Sequence, residues 1–255
     1  MIFYFSATGN CKYVAERIAH ATNDTCCSIV ESERSEQNTS YNHEKNHIIG
    51  IISPTYGLGI PSLVIDFLKS LELDFSDNTY FYFVATYGTT PGHSGYYANK
   101  YLKQNTKVEF NAYYSVKMPD TWTPMFDLSD KEKVDEINRN VEPQLDDIIS
   151  HIQKRSYGDF MKNKIPHFTA FIYKPYYDHM RKTGKFIVED TCIGCGLCAK
   201  RCPINAIEMK DNKPTWVKDK CVMCLGCLHR CPEFAIQYGN KTKKHGQYTN
   251  PNVKI

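Results

Sequence analysis

The chain has 255 residues, 42% of them hydrophobic and 23% charged, which suits a globular protein of one large and one small domain. Its longest apolar runs, such as YFYFVA (80–85), fall far short of the ~20 residues that cross a bilayer, so no membrane span is expected. The net charge of +3 hides an asymmetry: residues 1–155 carry 14 Lys and Arg against 20 Asp and Glu, and residues 156–255 carry 17 against 8.

In chain order, the first 155 residues alternate. Apolar runs predict strands at 1–5, 26–31, 47–53, 79–86 and 107–117, and helical patterns fall at 10–22, 61–71, 93–105 and 129–154. The first strand begins too early to be preceded by a charged n-region and an apolar signal segment, so a cytoplasmic protein is expected. Strands alternating with helices predict a doubly wound parallel sheet of five strands, order 2-1-3-4-5, with its ligand outside the carboxyl ends of the strands. There the stretch FSATGNC places Ser6, Ala7, Thr8, Gly9, Asn10 and Cys11 between the first strand and the first helix. Backbone N–H groups at that helix start, with small hydroxyl side chains, suit a phosphate. The loop has neither the lysine of a P-loop nor the glycines of a dinucleotide fingerprint. Two more loops leave strand ends on the same side, each with a Tyr-Gly pair: Pro54, Thr55, Tyr56 and Gly57, and Thr86, Tyr87 and Gly88. A flat ring needs aromatic cover and close backbone, and both loops supply them.

Further along, MPDTWTPMFDLSD (118–130) leaves the same end of the sheet, where Trp122 and Phe126 either cover a cofactor or pack a domain junction. Ser129 and Glu132 have the spacing of a capping box for the helix at 129–154. Residues 156–185 are a linker too rich in Phe and Tyr for a free tether, and are expected to dock two domains, 1–155 and 186–255. Cys26 and Cys27 stand side by side in a strand, so they face opposite ways and pack rather than chelate.

Eight of the eleven cysteines lie in CIGCGLCAKRCP (192–203) and CVMCLGCLHRCP (221–232), one C-x2-C-x2-C-x3-C-P unit used twice. Without an export signal, cysteines in this density point to metal rather than disulfides, and triplets closed by Cys-Pro fit zinc poorly. Gly194, Gly196 and Gly226 ease the tight turns that let three thiols wrap a cluster corner. No nucleic-acid motif accompanies the basic half, so no nucleic acid partner is expected.

The two runs resemble those of bacterial-type 2[4Fe–4S] ferredoxins over residues 186–238. That resemblance implies crossed ligation: Cys192, Cys195, Cys198 and Cys231 for one cluster, Cys221, Cys224, Cys227 and Cys202 for the other. FSATGN likewise resembles the phosphate loop of flavodoxins, with Cys11 where a flavodoxin usually has Thr or Ser, and the loops at 53–61 and 86–95 correspond to those flanking the flavin ring. Together these features resemble the flavodoxin–ferredoxin fusion proteins of anaerobes. The resemblance implies a flavodoxin-like sheet plus a small α+β ferredoxin domain, FMN and two [4Fe–4S] clusters, and electron transfer with a redox partner protein that the basic half suits to be acidic. Two alternatives remain open at this point: an iron–sulfur flavoenzyme reducing a small molecule at the flavin, and a flavin-free docking module. Among the residues no catalytic acid–base pair is assigned.

Overall fold

The computed structural model describes residues 1–34, 48–72, 75–76 and 78–255. The sheet is built from β1 (Ile2–Tyr4), β2 (Cys26–Ser28), β3 (Ile48–Pro54), β4 (Tyr80–Tyr87), β5 (Ala112–Lys117) and β6 (Gly158–Asp159), in the order β2-β1-β3-β4-β5-β6. Every pairing in it is parallel. The five expected strands stand in the expected order, and the two-residue β6 is an addition at the edge, formed where the sequence predicts only linker. His47, the expected first residue of β3, lies outside the described residues.

Between the strands run α1 (Asn10–Thr22), α2 (Ile29–Arg34), α3 (Ser62–Ser70) and α4 (Ser94–Thr106), followed after β5 by α5 (Lys131–Arg139) and α6 (Val141–Gln153). Because strand side chains alternate, each strand feeds two cores. Phe3, Ile49, Ile51, Phe81 and Phe83 face α3 and α4, whereas Ile2, Ile52, Tyr82 and Val84 face α1 and α6. Cys27 packs against the first core and Cys26 against the second, the opposite facing that adjacent strand positions require.

Three boundaries differ from the sequence pattern. β2 ends at Ser28 because Ile29 already begins a short helix. β5 starts only at Ala112, since Lys107 closes α4 in the left-handed conformation with φ 62°. The helix expected over 129–154 is two helices that meet at Asn140. Pro143 explains the break, because its ring would meet the carbonyl of Arg139 in a continuous helix. Asp130, not Ser129, caps α5, its carboxylate accepting the N–H of Lys133 at 3.1 Å.

Beyond β6 a 3-10 helix (His167–Ile172) leads into α7 (Tyr173–Met180). Tyr173 and Tyr177 bury their rings in the first core, while Phe168 and Phe171 stay about three-quarters exposed, at 77% and 75%. The remaining chain forms β7 (Phe186–Val188), α8 (Leu197–Lys200), β8 (Ile207–Lys210), β9 (Lys213–Trp216), α9 (Gly226–His229), β10 (Ile236–Tyr238) and α10 (Thr242–His245). β7 pairs antiparallel with β10, and β8 with β9 through a turn in which Asp211 and Asn212 are both left-handed. This unit has its own core around Ile207, Leu228 and Ile236, and Trp122 from the β5–α5 loop packs into it. The Tyr177 hydroxyl ties the two units, donating to the Val222 carbonyl at 2.7 Å and accepting the N–H of Ser62 at 3.2 Å.

Candidate functional site

At the carboxyl end of the sheet, β1 hands over to α1 through Gly9, whose φ of 99° only glycine adopts without strain. Ser6 accepts the Gly9 N–H on its hydroxyl at 3.1 Å and closes the loop upon itself. A small cavity is lined by Ser6, Ala7, Thr8, Asn10 and Cys11 from this loop, and by the ends of the next two. Pro54, Thr55 and Tyr56 come from the β3 end, and Thr86, Tyr87 and Gly88 from the β4 end. Three loops far apart in sequence thus meet at one place. Cys11 is fully buried, its Sγ 3.1 Å from the Thr86 hydroxyl, and burial pushes its thiol up to about 12. It is a neutral packing group at neutral pH.

The small cavity opens toward a larger one of about 230 Å3. Thr55, Tyr56 and Gly88 line both, and Gly57 lines only the larger. Tyr56, Trp122, Phe126, Tyr176 and Tyr177 give its wall an aromatic share. Tyr87 does not reach it; its hydroxyl accepts the Asn163 amide at 2.9 Å on the β6 side. Trp122 serves both readings that the sequence leaves open, since it lines this cavity and also packs against the core of the cysteine-bearing unit. Asp120 lies at the junction of the two cavities, and burial raises its carboxyl above the usual range against the opposing N–H of Trp122 and hydroxyl of Thr89.

The far wall of the larger cavity is Met223, Cys224 and Leu225, from the second cysteine run. Behind it, Cys202, Cys221, Cys224 and Cys227 line one cavity, while Cys192, Cys195, Cys198 and Cys231 line another. Each set of four takes three thiols from one run and the last from the other. Among the described residues no three His, Cys, Asp or Glu side chains converge as a single metal ion requires. The backbone aims N–H groups at the sulfurs: Ala206 to Cys202 at 3.2 Å, Met223 to Cys221 at 3.2 Å and Ala235 to Cys231 at 3.3 Å. Burial pushes Cys221 up to about 12 and Cys198 and Cys224 to about 11, and in each set neighbouring thiols add to it. Such thiols ionise together only around a positive centre that takes up their charge.

Several residues at the site carry no local sequence signal. The segment after α10 lies along the outside of the phosphate-type loop: Asn250 N–H donates to the Thr8 carbonyl at 2.7 Å, and its amide to Asn10 at 3.1 Å. A Cβ on Gly9 would stand 2.8 Å from that of Asn250. His229 is buried and held near a value of about 4 by desolvation. As the neutral tautomer, it donates from Nε2 to the Thr121 carbonyl at 2.9 Å and accepts the Tyr248 N–H on Nδ1 at 3.2 Å. Arg230 reaches from the second run to the Ser6 carbonyl at 3.2 Å.

A family model described as Flavodoxin domain matches residues 1–146, more than half of the chain. The chain belongs to the flavodoxin family. A second model, 4Fe-4S dicluster domain, matches residues 185–238, so this flavodoxin-type chain continues into a ferredoxin-type domain, the fusion that its sequence resembles. The two matches together cover residues 1–146 and 185–238 with a flavodoxin-type and a 4Fe–4S-type domain. Ferredoxin-1 of Rhodospirillum rubrum is 62% identical over 24 residues, 9% of this chain and 44% of that protein, so the chain spans less than half of the curated relative it matches. Among solved structures, the Fusobacterium nucleatum flavodoxin bound to flavin mononucleotide is 14% identical with a TM-score of 0.37, over 62% of this chain and 97% of that one. Rubredoxin oxygen:oxidoreductase from Desulfovibrio gigas is 18% identical with a TM-score of 0.34, over 57% of this chain and 35% of that one.

Proposed function

We propose that the chain carries single electrons between FMN and two [4Fe–4S] clusters within one polypeptide, on behalf of an acidic redox partner protein. The observation that carries this reading is the shared wall. Cys224 and Leu225 line both the aromatic cavity and the cavity of the second cysteine set, so one layer of protein stands between them.

The residues fit the groups they would hold. Ser6, Ala7, Thr8, Gly9 and Asn10 would take the phosphate of FMN, and Tyr56, Gly57, Gly88 and Trp122 the flavin ring. The loop has no second glycine to admit a pyrophosphate against its backbone, which favours a monophosphate over a dinucleotide. Two sets of four thiols spread around cavities suit cubane clusters, with Cys202 and Cys231 exchanged between the runs. When bound, the flavin exchanges electrons singly or in pairs, and each cluster exchanges one at a time. Trp122, Phe126 and Tyr177 exclude water from the space between the two kinds of site. N–H groups at Cys202, Cys221 and Cys231 stabilise the thiolate form of these ligands. On this reading residues 1–155 and 186–255 are the two functional units, joined by residues 156–185.

Thr8→Asp tests the reading. Thr8 is 5% exposed and lines the small cavity, so a carboxylate there repels a phosphate. Flavin should be lost with iron content unchanged. In the wild type, photoreduction followed by stopped-flow should show flavin and cluster signals relaxing together at a rate that dilution does not alter. A rate proportional to protein concentration would show electrons passing between molecules and overturn the internal path.

A further inference from the structure

Beside β1 and β2, on the other side of the phosphate-type loop from the flavin cavity, a groove of about 340 Å3 separates the sheet from the cysteine-bearing unit. Four cations line it: Lys12 from α1, Arg201 and Arg230 from the two cysteine runs, and Lys254 from the last segment. Glu31 is the one acidic side chain among the lining residues, and Ile255 brings the terminal carboxylate. Arg201 and Arg230 occupy the same place in the duplicated motif, the residue before the fourth cysteine, and the fold delivers both to one groove.

These charges are poorly met by the protein itself. Arg230 gives one Nη to the Ser6 carbonyl, but its Nε is buried without a hydrogen-bond partner. Lys12 donates to the Lys254 carbonyl at 2.7 Å and stands 3.7 Å from Glu16. Among the described residues, no ion pair within 4.0 Å involves Arg201, Arg230 or Lys254. Four clustered cations with two carboxylates among them favour an anion.

We propose that this groove is a binding site for a small phosphate monoester, distinct from the flavin site. Two guanidinium forks offer paired donors that match phosphate oxygens, and two ammonium groups supply the further charge that a dianion needs. The groove is larger than a bare phosphate. Tyr4, Phe5, Val30 and Pro203 give the rest of it an apolar wall that suits a compact organic body. Ser6 and Ala7 line this groove and the small cavity alike and so form the partition between them. Cys224 also lines the groove, which puts the bound charge beside the second cysteine set.

The test is calorimetric titration of protein loaded with FMN and iron, using inorganic phosphate at constant ionic strength while flavin absorbance is followed. One phosphate should bind per chain with a dissociation constant below about 1 mM. Arg201→Gln, at an exposed side chain, should weaken it about tenfold, the worth of one charge-assisted hydrogen bond, and Lys254→Gln should weaken it less. Absence of saturable binding, binding indifferent to Arg201→Gln, succinate binding as tightly as phosphate, or phosphate binding only as FMN is released would each overturn the proposal. None of these outcomes bears on the electron-transfer reading, which stopped-flow tests separately.

Discussion

In the first cysteine run Gly194 and Gly196 hold left-handed backbone at φ 69° and 72°; in the second the same places belong to Met223 and Leu225 at φ 59° and 51°. The fourth-cysteine turns match as well, with Asn205 at φ 50° and Phe234 at 46°. The duplicated motif therefore keeps one backbone path with glycine or without it. Holding a side chain in that conformation costs about 1 kcal/mol at each of Met223 and Leu225. Their setting offsets this cost, since both are buried in the core of the cysteine-bearing unit and line the aromatic cavity. In the first run the surroundings are open: Ile193 is 64% exposed and Cys195 is exposed. The motif supplies four thiols in either case. On the proposed reading, its place in the molecule makes one set the inner terminus, against the flavin cavity, and the other the outer, against solvent and a partner.

The largest effect that would break this comparison concerns the thiols. Cys224→Ser and Cys195→Ser should each lower iron from about eight to about four per chain. Only Cys224→Ser should also abolish fast flavin-to-cluster exchange in stopped-flow, because Cys224 forms the shared wall. If Cys195→Ser slowed that exchange equally, the inner and outer assignments would fail. Next comes access. An iron chelator should remove iron in two phases differing at least about tenfold in rate, by the difference in local exposure, and Cys195→Ser should lack the fast phase. A single phase would mean that both sites open together.

Backbone swaps sharpen the comparison at smaller scale. Leu225→Gly should cost about 2 kcal/mol in chemical denaturation, the loss of a buried Leu less the strain relieved, and should weaken FMN binding. Gly196→Ala should cost only about 1 kcal/mol, because its Cβ would meet nothing nearer than Met209 Cγ at 3.9 Å. Gly194→Ala should cost more, with a Cβ 2.8 Å from the Asn212 carbonyl oxygen.

The smallest effect is one of pH. Asp120 has its folded-state value raised above that of the unfolded chain, so the folded state holds the extra proton between the two values. Its contribution to stability is complete below the unfolded value and is lost as pH rises through the raised one. The same deprotonation places a negative charge where the two cavities meet, so on the proposed reading FMN affinity should fall as pH rises through the raised value. Asp120→Asn should flatten both dependences in thermal melts and flavin titrations, and an unchanged pH profile would remove Asp120 from the account.

Much of this molecule was legible because it is local. A turn such as that at residues 192–198 needs only neighbouring cysteines and glycines, and a phosphate-type loop needs only a strand, small residues and a helix, all contiguous in FSATGNC. Period-two and helical patterns likewise place the five strands along the chain. The break at Asn140 was legible too, through Pro143, although the apolar face of the helix obscures it. What the chain does at long range was not legible. That Met223 rather than Gly226 carries a left-handed turn, that Tyr177 rather than Tyr87 lines the aromatic cavity, and that Asn250 lies on the loop at Thr8 all depend on which surfaces meet. Residue type and spacing marked the two cysteine runs and the loops at the strand ends, since those are short-range features. Only the tertiary structure decided which cysteine set lies against the aromatic cavity and that Arg201 and Arg230 share a groove. Those outcomes follow from packing two units together, and no stretch of either unit encodes them alone.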